Sequence, residues 1–311
     1  MNACPVCSSK LNNNIKKIKY PSIGGHGSNS LNFREIVFCN RCKTGIAFPC
    51  ISDDVIKDYY EKGKYWKQIN IGKVSKNAIV PYALARARWV NIESLLSQFK
   101  NCKNIAILDI GAGYGFIGMF ANESKKIDIK RYTCIEPDLQ MWQCINSYWQ
   151  SRHNGNKMEI KKTLCEVSGK YDVVVLSHVL EHLNDPLSML QSALSFMKSG
   201  SILLLEVPNQ DYLFKDYTLP HILFYNQNSL QCLIDKTKLL ETVSISGYGK
   251  NMTISPLNRN ISIRQRAVGK VLGVLHGIFP RKLLAILYSE YFGINRKNSN
   301  GTWIRALCRK K

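Results

Sequence analysis

Beyond residue 104 the chain alternates between short apolar runs and amphipathic stretches of about a dozen residues. NIAILDI, YTCIEP, YDVVVLS and SILLLEVP are the apolar runs. Near-continuous apolar strands are buried on both faces, which predicts a doubly wound α/β unit with a mostly parallel sheet. LLETVSISGYG and GTWIRALCRKK read as two closing strands. Upstream the texture differs. DDVIKDYYEKGKYW opens with an acidic pair suited to a helix start, and a longer helix follows Pro81, with Leu84, Ala87, Val90, Leu95 and Leu96 as its apolar positions. The first fifty residues are rich in Cys, Gly and Asn with short β-prone pieces such as REIVFC, too little apolar surface to fold without a staple. The pattern divides the chain into a module at 1–50, a helical linker or cap at 51–103, a core at 104–250 and 301–311, and a basic insertion at 251–300.

The core opens on a strand ending in Asp109, followed by Gly111-Ala112-Gly113-Tyr114-Gly115 and the helical GFIGMFANE. Glycines in such a strand-to-helix turn let the backbone approach a ligand closely. Gly113 to Gly118 also matches G-x-G-x-x-G, so a dinucleotide site is an alternative. Charge separates the two. A pyrophosphate over the turn would be opposed by Asp109, whereas the sulfonium and ammonium of S-adenosylmethionine would be favoured by it. The next strand ends in Glu136-Pro137, where the acid is placed to accept ribose hydroxyls of either cofactor.

LDIGAGYGFIG, CIEPD, YDVVVLSHVLEHLNDP and SGSILLLEVPN together resemble the successive motifs of class I S-adenosylmethionine-dependent methyltransferases over residues 104 to 250. The resemblance implies a seven-stranded, Rossmann-like sheet. It also implies that Asp109, Gly111, Ala112, Gly113, Gly115, Glu136 and Pro137 hold the donor, with Ser177 and His178 beside the transferred methyl. The loop that carries an adenine-binding acid in that family reads KKTLCEVS and assigns no such contact. His178-Val-Leu-Glu181-His182 also fits the zinc-peptidase pattern H-x-x-E-H, but that pattern needs a helix, and here a strand runs directly into it.

Cys4-Pro-Val-Cys7 and Cys39-Asn-Arg-Cys42 are two C-x-x-C knuckles. Four thiolates at this spacing close a tetrahedral zinc site, and the metal supplies folding energy that the segment lacks. Redox-active cysteines are the alternative. Cys50 and the other cysteines are expected as core fillers, and His26 as solvent-exposed. FCNRCKTGIAFP with the helix after it is similar to the N-terminus of bacterial methyltransferases of sugar and surface-glycan pathways. That similarity implies a zinc ribbon ahead of the core and a sugar, nucleotide-sugar or glycan acceptor. Sugar C-methyltransferases of that group carry a second large domain, for which this chain has no room, so O- or N-methylation is the more open course.

Deprotonating such an acceptor needs a base, and histidine suits neutral pH. His182 lies beyond the fourth core strand and His221, in TLPHILFYNQNSL, beyond the fifth. Both are candidate catalytic residues; Tyr225 and Glu181 are weaker ones.

The 311-residue chain carries a net charge of +21. From Lys250 onward, thirteen Lys and Arg face the single acid Glu290. Nucleic acid, an anionic membrane surface, phosphate-bearing substrates and plain Lys/Asn codon bias all fit this charge. An RNA methyltransferase is the rival function, although the module lacks basic–aromatic interleaving and there is no N-P-P-Y-type motif; a non-catalytic scaffold is the second. KVLGVLHGIFPRKLLAILYSEYFGI reads as two amphipathic helices broken at Pro280, able to lie on a membrane, cap the cleft or pack between protomers. The layout of a signal peptide and any bilayer-length apolar run are missing, which with the odd, scattered cysteines predicts a cytosolic protein, peripheral at most to the inner membrane face.

Overall fold

The computed structural model describes residues 3–11, 15–20, 33–62, 79–99, 102–150, 158–215, 218, 220–251 and 281–311. His26, the first helix expected ahead of Pro280 and most of the 251–300 insertion lie outside them. No helix among the described residues is long and apolar enough to cross a membrane.

Seven strands form the main sheet: β4 (Ile105–Ile110), β5 (Ile129–Ile135), β6 (Met158–Lys161), β7 (Tyr171–Ser177), β8 (Met197–Pro208), β10 (Leu240–Asn251) and β11 (Gly301–Lys310). Their order is β10-β11-β8-β7-β4-β5-β6. β11 is antiparallel to both β10 and β8, and every other neighbouring pair is parallel. The α/β fold read from the apolar runs is therefore present, with both closing strands in place. Alternate residues of the central strands feed two separate cores. Leu108 and Ile110 of β4, Val174 and Leu176 of β7 and Leu203 and Leu205 of β8 enter one. Ile107, Val173, Val175, Ile202 and Leu204 enter the other. Period-two side chains that are apolar on both faces demand this double cover.

Helices α2 (Ile79–Phe99), α3 (Phe116–Glu123), α4 (Leu139–Gln150), α5 (Pro186–Ser195), α6 (Gln227–Lys236) and α7 (Arg281–Phe292) supply the cover. Pro81 falls in the first turn of α2, where its missing N–H costs no helical bond. Gly118 lets α3 lie against β5, because a Cβ there would collide with the Tyr132 ring.

The N-terminal module is a smaller antiparallel sheet of β1 (Lys17–Lys19), β2 (Glu35–Phe38) and β3 (Gly45–Phe48). Its fourth strand, β9 (Leu223–Phe224), comes from the core and pairs with β3 through Gly45↔Phe224 and Ile46↔Leu223. Phe33 packs between Tyr20 and Phe224, with ring centroids 5.4 and 5.9 Å away. Helix α1 (Asp53–Glu61) follows, its two aspartates in the first turn complementing the helix dipole.

Candidate functional site

In doubly wound sheets, ligands bind beyond the carboxyl ends of the strands where the order reverses, here between β4 and β7. The glycine turn stands at that point. Gly111, Gly113 and Gly115 all adopt positive φ, a region that side-chain-bearing residues enter at a cost. The amides of Gly111 and Ala112 donate to the Ile135 carbonyl at 2.9 and 3.1 Å, pinning the turn to the end of β5. Glu136, the next residue, accepts from the Gly113 amide through Oε2 at 2.9 Å and from the Asp138 amide through Oε1 at 3.1 Å. Its carboxylate is thus fixed beside the turn, and each oxygen can accept a second bond from a ribose hydroxyl. Pro137 is half-buried next to it.

Asp109 is buried at the strand end and accepts a 2.6 Å bond from the Tyr132 hydroxyl. Burial pushes its carboxyl up to about 6, a rise tempered by the Tyr132 bond and the Arg88 charge. A cationic ligand at the turn would favour its ionised form. At the end of β7 the Ser177 hydroxyl is buried with no hydrogen-bond partner among the described residues. His178 follows at φ +56°. These residues fit an S-adenosylmethionine donor: a ribose acceptor, a buried carboxylate for the cationic end and an unused hydroxyl at the strand beside it. The loop after β6, where the resemblance expects an adenine-binding acid, offers no counterpart. Its acid, Glu166, is spent capping its own turn, accepting from the Thr163 amide at 2.9 Å.

Beneath His178 lies a buried ion cluster absent from the sequence reading. Glu206 accepts from Arg88 Nε at 2.8 Å and from Arg305 Nε at 2.6 Å. Burial alone would raise the Glu206 carboxyl, but the two guanidiniums hold it well below its usual range. His178 places Nδ1 3.0 Å from Glu181 Oε1 and Nε2 3.6 Å from Glu206 Oε1. Burial opposes its protonated form, yet the bonds to Glu181 and Glu206 prevail and raise its pKa.

The two candidate catalytic histidines come together. His182 belongs to a 3-10 turn, Leu180–His182, and its ring centroid is 4.9 Å from that of His221. Each ring is anchored through Nδ1: His221 against Asp211 Oδ2 at 2.8 Å, and His182 against the Pro220 carbonyl at 3.3 Å. Burial, with the neighbouring His221 charge, lowers His182 to about 4 despite Glu181. Burial would raise Asp211, but His221 and Lys215 hold it far below the usual carboxylate range. Asp211 is a residue the sequence reading missed. Its sign was a lone acid in NQDYLF, ten residues ahead of the histidine, and spacing alone does not reveal that pairing. Tyr225 is fully buried and donates to the Leu180 carbonyl at 3.4 Å.

Cys4, Cys7, Cys39 and Cys42 converge as one buried cluster. Cys4 and Cys42 sulfurs stand 3.6 Å apart, Cys7 and Cys39 3.5 Å. A tetrahedral site with Zn–S bonds of about 2.3 Å has edges near 3.8 Å, so the donor set fits zinc. The two knuckles repeat one backbone pattern. Cys4 N donates to the Ser9 carbonyl and Cys39 N to the Thr44 carbonyl, each at 2.9 Å, and Ser8 and Lys43 both take positive φ. The expectation of core-filling cysteines elsewhere holds for Cys134, Cys144 and Cys308 and fails for Cys50 and Cys165, which are exposed. Cys50 lies in the irregular segment before α1 and Cys165 in the capped turn after β6, where their neighbours Ile51 and Leu164 face the core and the cysteines face outward.

Residues 84–248 match a family described as a methyltransferase domain. No curated protein matches the chain. Among solved structures, the plantazolicin methyltransferase BpumL in complex with SAH is 15% identical, covering 82% of this chain and 94% of that one with a TM-score of 0.50. The same enzyme with a pentazolic desmethylPZN analog and SAH gives 15% identity, 82% and 95% coverage and a TM-score of 0.51. Coclaurine N-methyltransferase bound to N-methylheliamine and SAH is 15% identical over 71% of this chain and 72% of that one, with a TM-score of 0.45. At such identities the likeness is one of fold.

Proposed function

The chain belongs to the S-adenosylmethionine-dependent methyltransferases, and from that premise we infer that it methylates a small polar acceptor, a sugar, nucleotide-sugar or glycan intermediate of surface-polysaccharide biosynthesis. The observation that carries this reading is the Asp211–His221 pair, 2.8 Å apart, with His182 packed against it beyond the carboxyl ends of β7 and β8. A thioether leaves when the methyl moves, so the enzyme's tasks are alignment and removal of the acceptor's proton. Asp211 fixes the His221 ring so that Nδ1 donates to the carboxylate, which leaves the Nε2 lone pair to take a proton. The surroundings are carboxylates and imidazoles, which suit a hydroxyl-bearing acceptor better than an apolar one. The donor half consists of Asp109, Gly111, Ala112, Gly113, Gly115, Glu136, Pro137, Ser177 and His178, with S-adenosylmethionine as the cofactor and zinc as the structural ion of the cysteine cluster.

The test is turnover on a panel of nucleotide-sugars and sugar diols alongside calorimetric binding of S-adenosylmethionine. His221→Ala is expected to cut turnover by about a hundredfold or more while donor affinity stays within about twofold. Unchanged turnover removes His221 from the reaction, and methylation confined to RNA transcripts overturns the acceptor class.

A further inference from the structure

Glu181, His182 and His221 form a second group of potential ligands, with one donor atom from each lying within 4.8 Å of the other two. Three features set it apart from a chance meeting of polar side chains. The Glu181 carboxylate is fully buried; Oε1 takes the 3.0 Å contact with His178, while Oε2 has no hydrogen-bond partner among the described residues. An orphaned carboxylate oxygen in a protein interior costs about 1–3 kcal/mol or more unless something binds it. Both imidazoles are anchored at Nδ1, one by a carboxylate and one by a backbone carbonyl, which leaves the Nε2 atoms for the cluster. Outer anchors of this kind orient metal-bound histidines. His182 Nε2 itself lies 3.7 Å from Glu181 Oε1.

We propose that Glu181, His182 and His221 bind a divalent transition-metal cation, distinct from the zinc of the cysteine cluster, through which the enzyme activates an acceptor bearing two adjacent oxygens. Two imidazoles and one carboxylate suit zinc, iron, cobalt or manganese and leave coordination positions open. A vicinal diol, or a hydroxyl beside a carbonyl, fills two of them. The cation lowers the hydroxyl pKa, and the proton leaves to solvent. The resulting alkoxide oxygen then attacks the donor methyl. The new O–C bond forms as the C–S bond breaks, and the sulfonium leaves as the neutral thioether. No electron transfer is involved. The inference rests on the methyltransferase reading and deepens it: the histidines act through a bound cation, and Asp211 positions His221 as a ligand. The peptidase-like H-x-x-E-H string contributes to this centre through its second half, while His178 supports Glu181 from outside.

The test uses the full chain with one equivalent of zinc in the cysteine cluster, titrated with Co2+ and followed by visible absorption. SAH binding is measured by calorimetry on the same samples. One further equivalent of Co2+ should bind with d–d bands and no thiolate-to-cobalt charge transfer. Glu181→Gln and His182→Gln should weaken that binding by at least about a hundredfold and Asp211→Asn by about tenfold, all with SAH affinity unchanged. A protein that binds SAH but takes no further cobalt, or whose Glu181→Gln variant binds it as tightly as the parent, overturns the metal centre and leaves the methyltransferase reading intact. Cobalt bound only with thiolate charge transfer overturns it as well. Cobalt bound as expected without any SAH binding sinks the donor site instead.

Discussion

Replacing Asp109 by Asn should make the ligand-free protein more stable while weakening its hold on the donor. Asp109 is only 2% exposed. Its pKa rises from 3.8 to about 6, chiefly through burial, even with the Tyr132 hydroxyl and the Arg88 charge lowering it. A rise of about two units corresponds to about 3 kcal/mol between the protonation states. The sign follows from linkage. Below pH 3.8 the group is protonated in both folded and unfolded chains and carries no penalty. As pH climbs through about 6, the folded chain must hold a buried carboxylate that the unfolded chain exposes to water, and stability falls. Asparagine keeps an oxygen for the 2.6 Å bond from Tyr132 and has no charge to bury. Urea unfolding should therefore find Asp109→Asn more stable by up to about 3 kcal/mol at neutral pH, the gain shrinking toward zero near pH 4. Both proteins carry the same cysteine cluster, so its acid sensitivity cancels in the difference. Calorimetry at neutral pH should show the opposite change for S-adenosylmethionine, whose cationic groups lose a counter-charge. A variant no more stable than the parent at neutral pH, or a gain independent of pH, would refute the account of Asp109 as a burial cost borne for the donor.

Glu136→Gln should lower S-adenosylmethionine affinity by about ten- to a hundredfold, the worth of a charged hydrogen bond to the ribose, and should also lower the melting temperature, because an NH2 group replaces one of the two oxygens that accept the Gly113 and Asp138 amides; isothermal titration of the folded variant reads the affinity, and parental affinity would exclude Glu136 from the ribose contact. Removing zinc from the cysteine cluster by chelation, or weakening it with Cys39→Ser, should reduce turnover far more than donor affinity, because the module adjoins the His221 loop and not the glycine turn. Equal loss of both, measured on the same preparation, would mean that the module supports the whole fold.

The glycine turn and the acid beside it were legible because they are local. Asp109 to Gly115 and Glu136 lie at the ends of adjacent strands, and the chemistry of each position follows from the strand–turn–helix order. The ion cluster was not, since Arg88, Glu206 and Arg305 come from α2, β8 and β11. One signal did exist. Glu206 stands alone inside the apolar run SILLLEVP, and a lone acid in a buried strand must find a cation. The register then pairs Arg305 with Glu206 across β8 and β11. The histidine cluster was half-legible: both histidines could be named from their place beyond strand ends, while Asp211 and the orphaned Glu181 oxygen depend on how three loops fold together. A two-residue strand such as β9 leaves no periodicity to read.

That short strand explains why a cysteine module belongs on this enzyme at all. β9 begins two residues after His221, and its pairing with β3 extends through the bond from the Ala47 amide to the Ile222 carbonyl at 2.9 Å. The Ile222 amide in turn donates to the Glu181 carbonyl at 2.9 Å. One residue thus links the module's sheet on one side to the Leu180–His182 turn on the other. Beyond β9, the Asn226 side chain donates through Nδ2 to the Lys43 carbonyl at 3.0 Å, next to Cys42, while its Oδ1 caps α6. Each bond is worth only about 1 kcal/mol, and a loop held by a few of them would open readily on its own. Anchored to the cysteine knuckles, the same bonds act together, because the strand they tie down cannot move without breaking the sheet. The cysteine knuckles therefore restrain the loop that carries His221, while the glycine turn is pinned by the carbonyl of Ile135 in the main sheet.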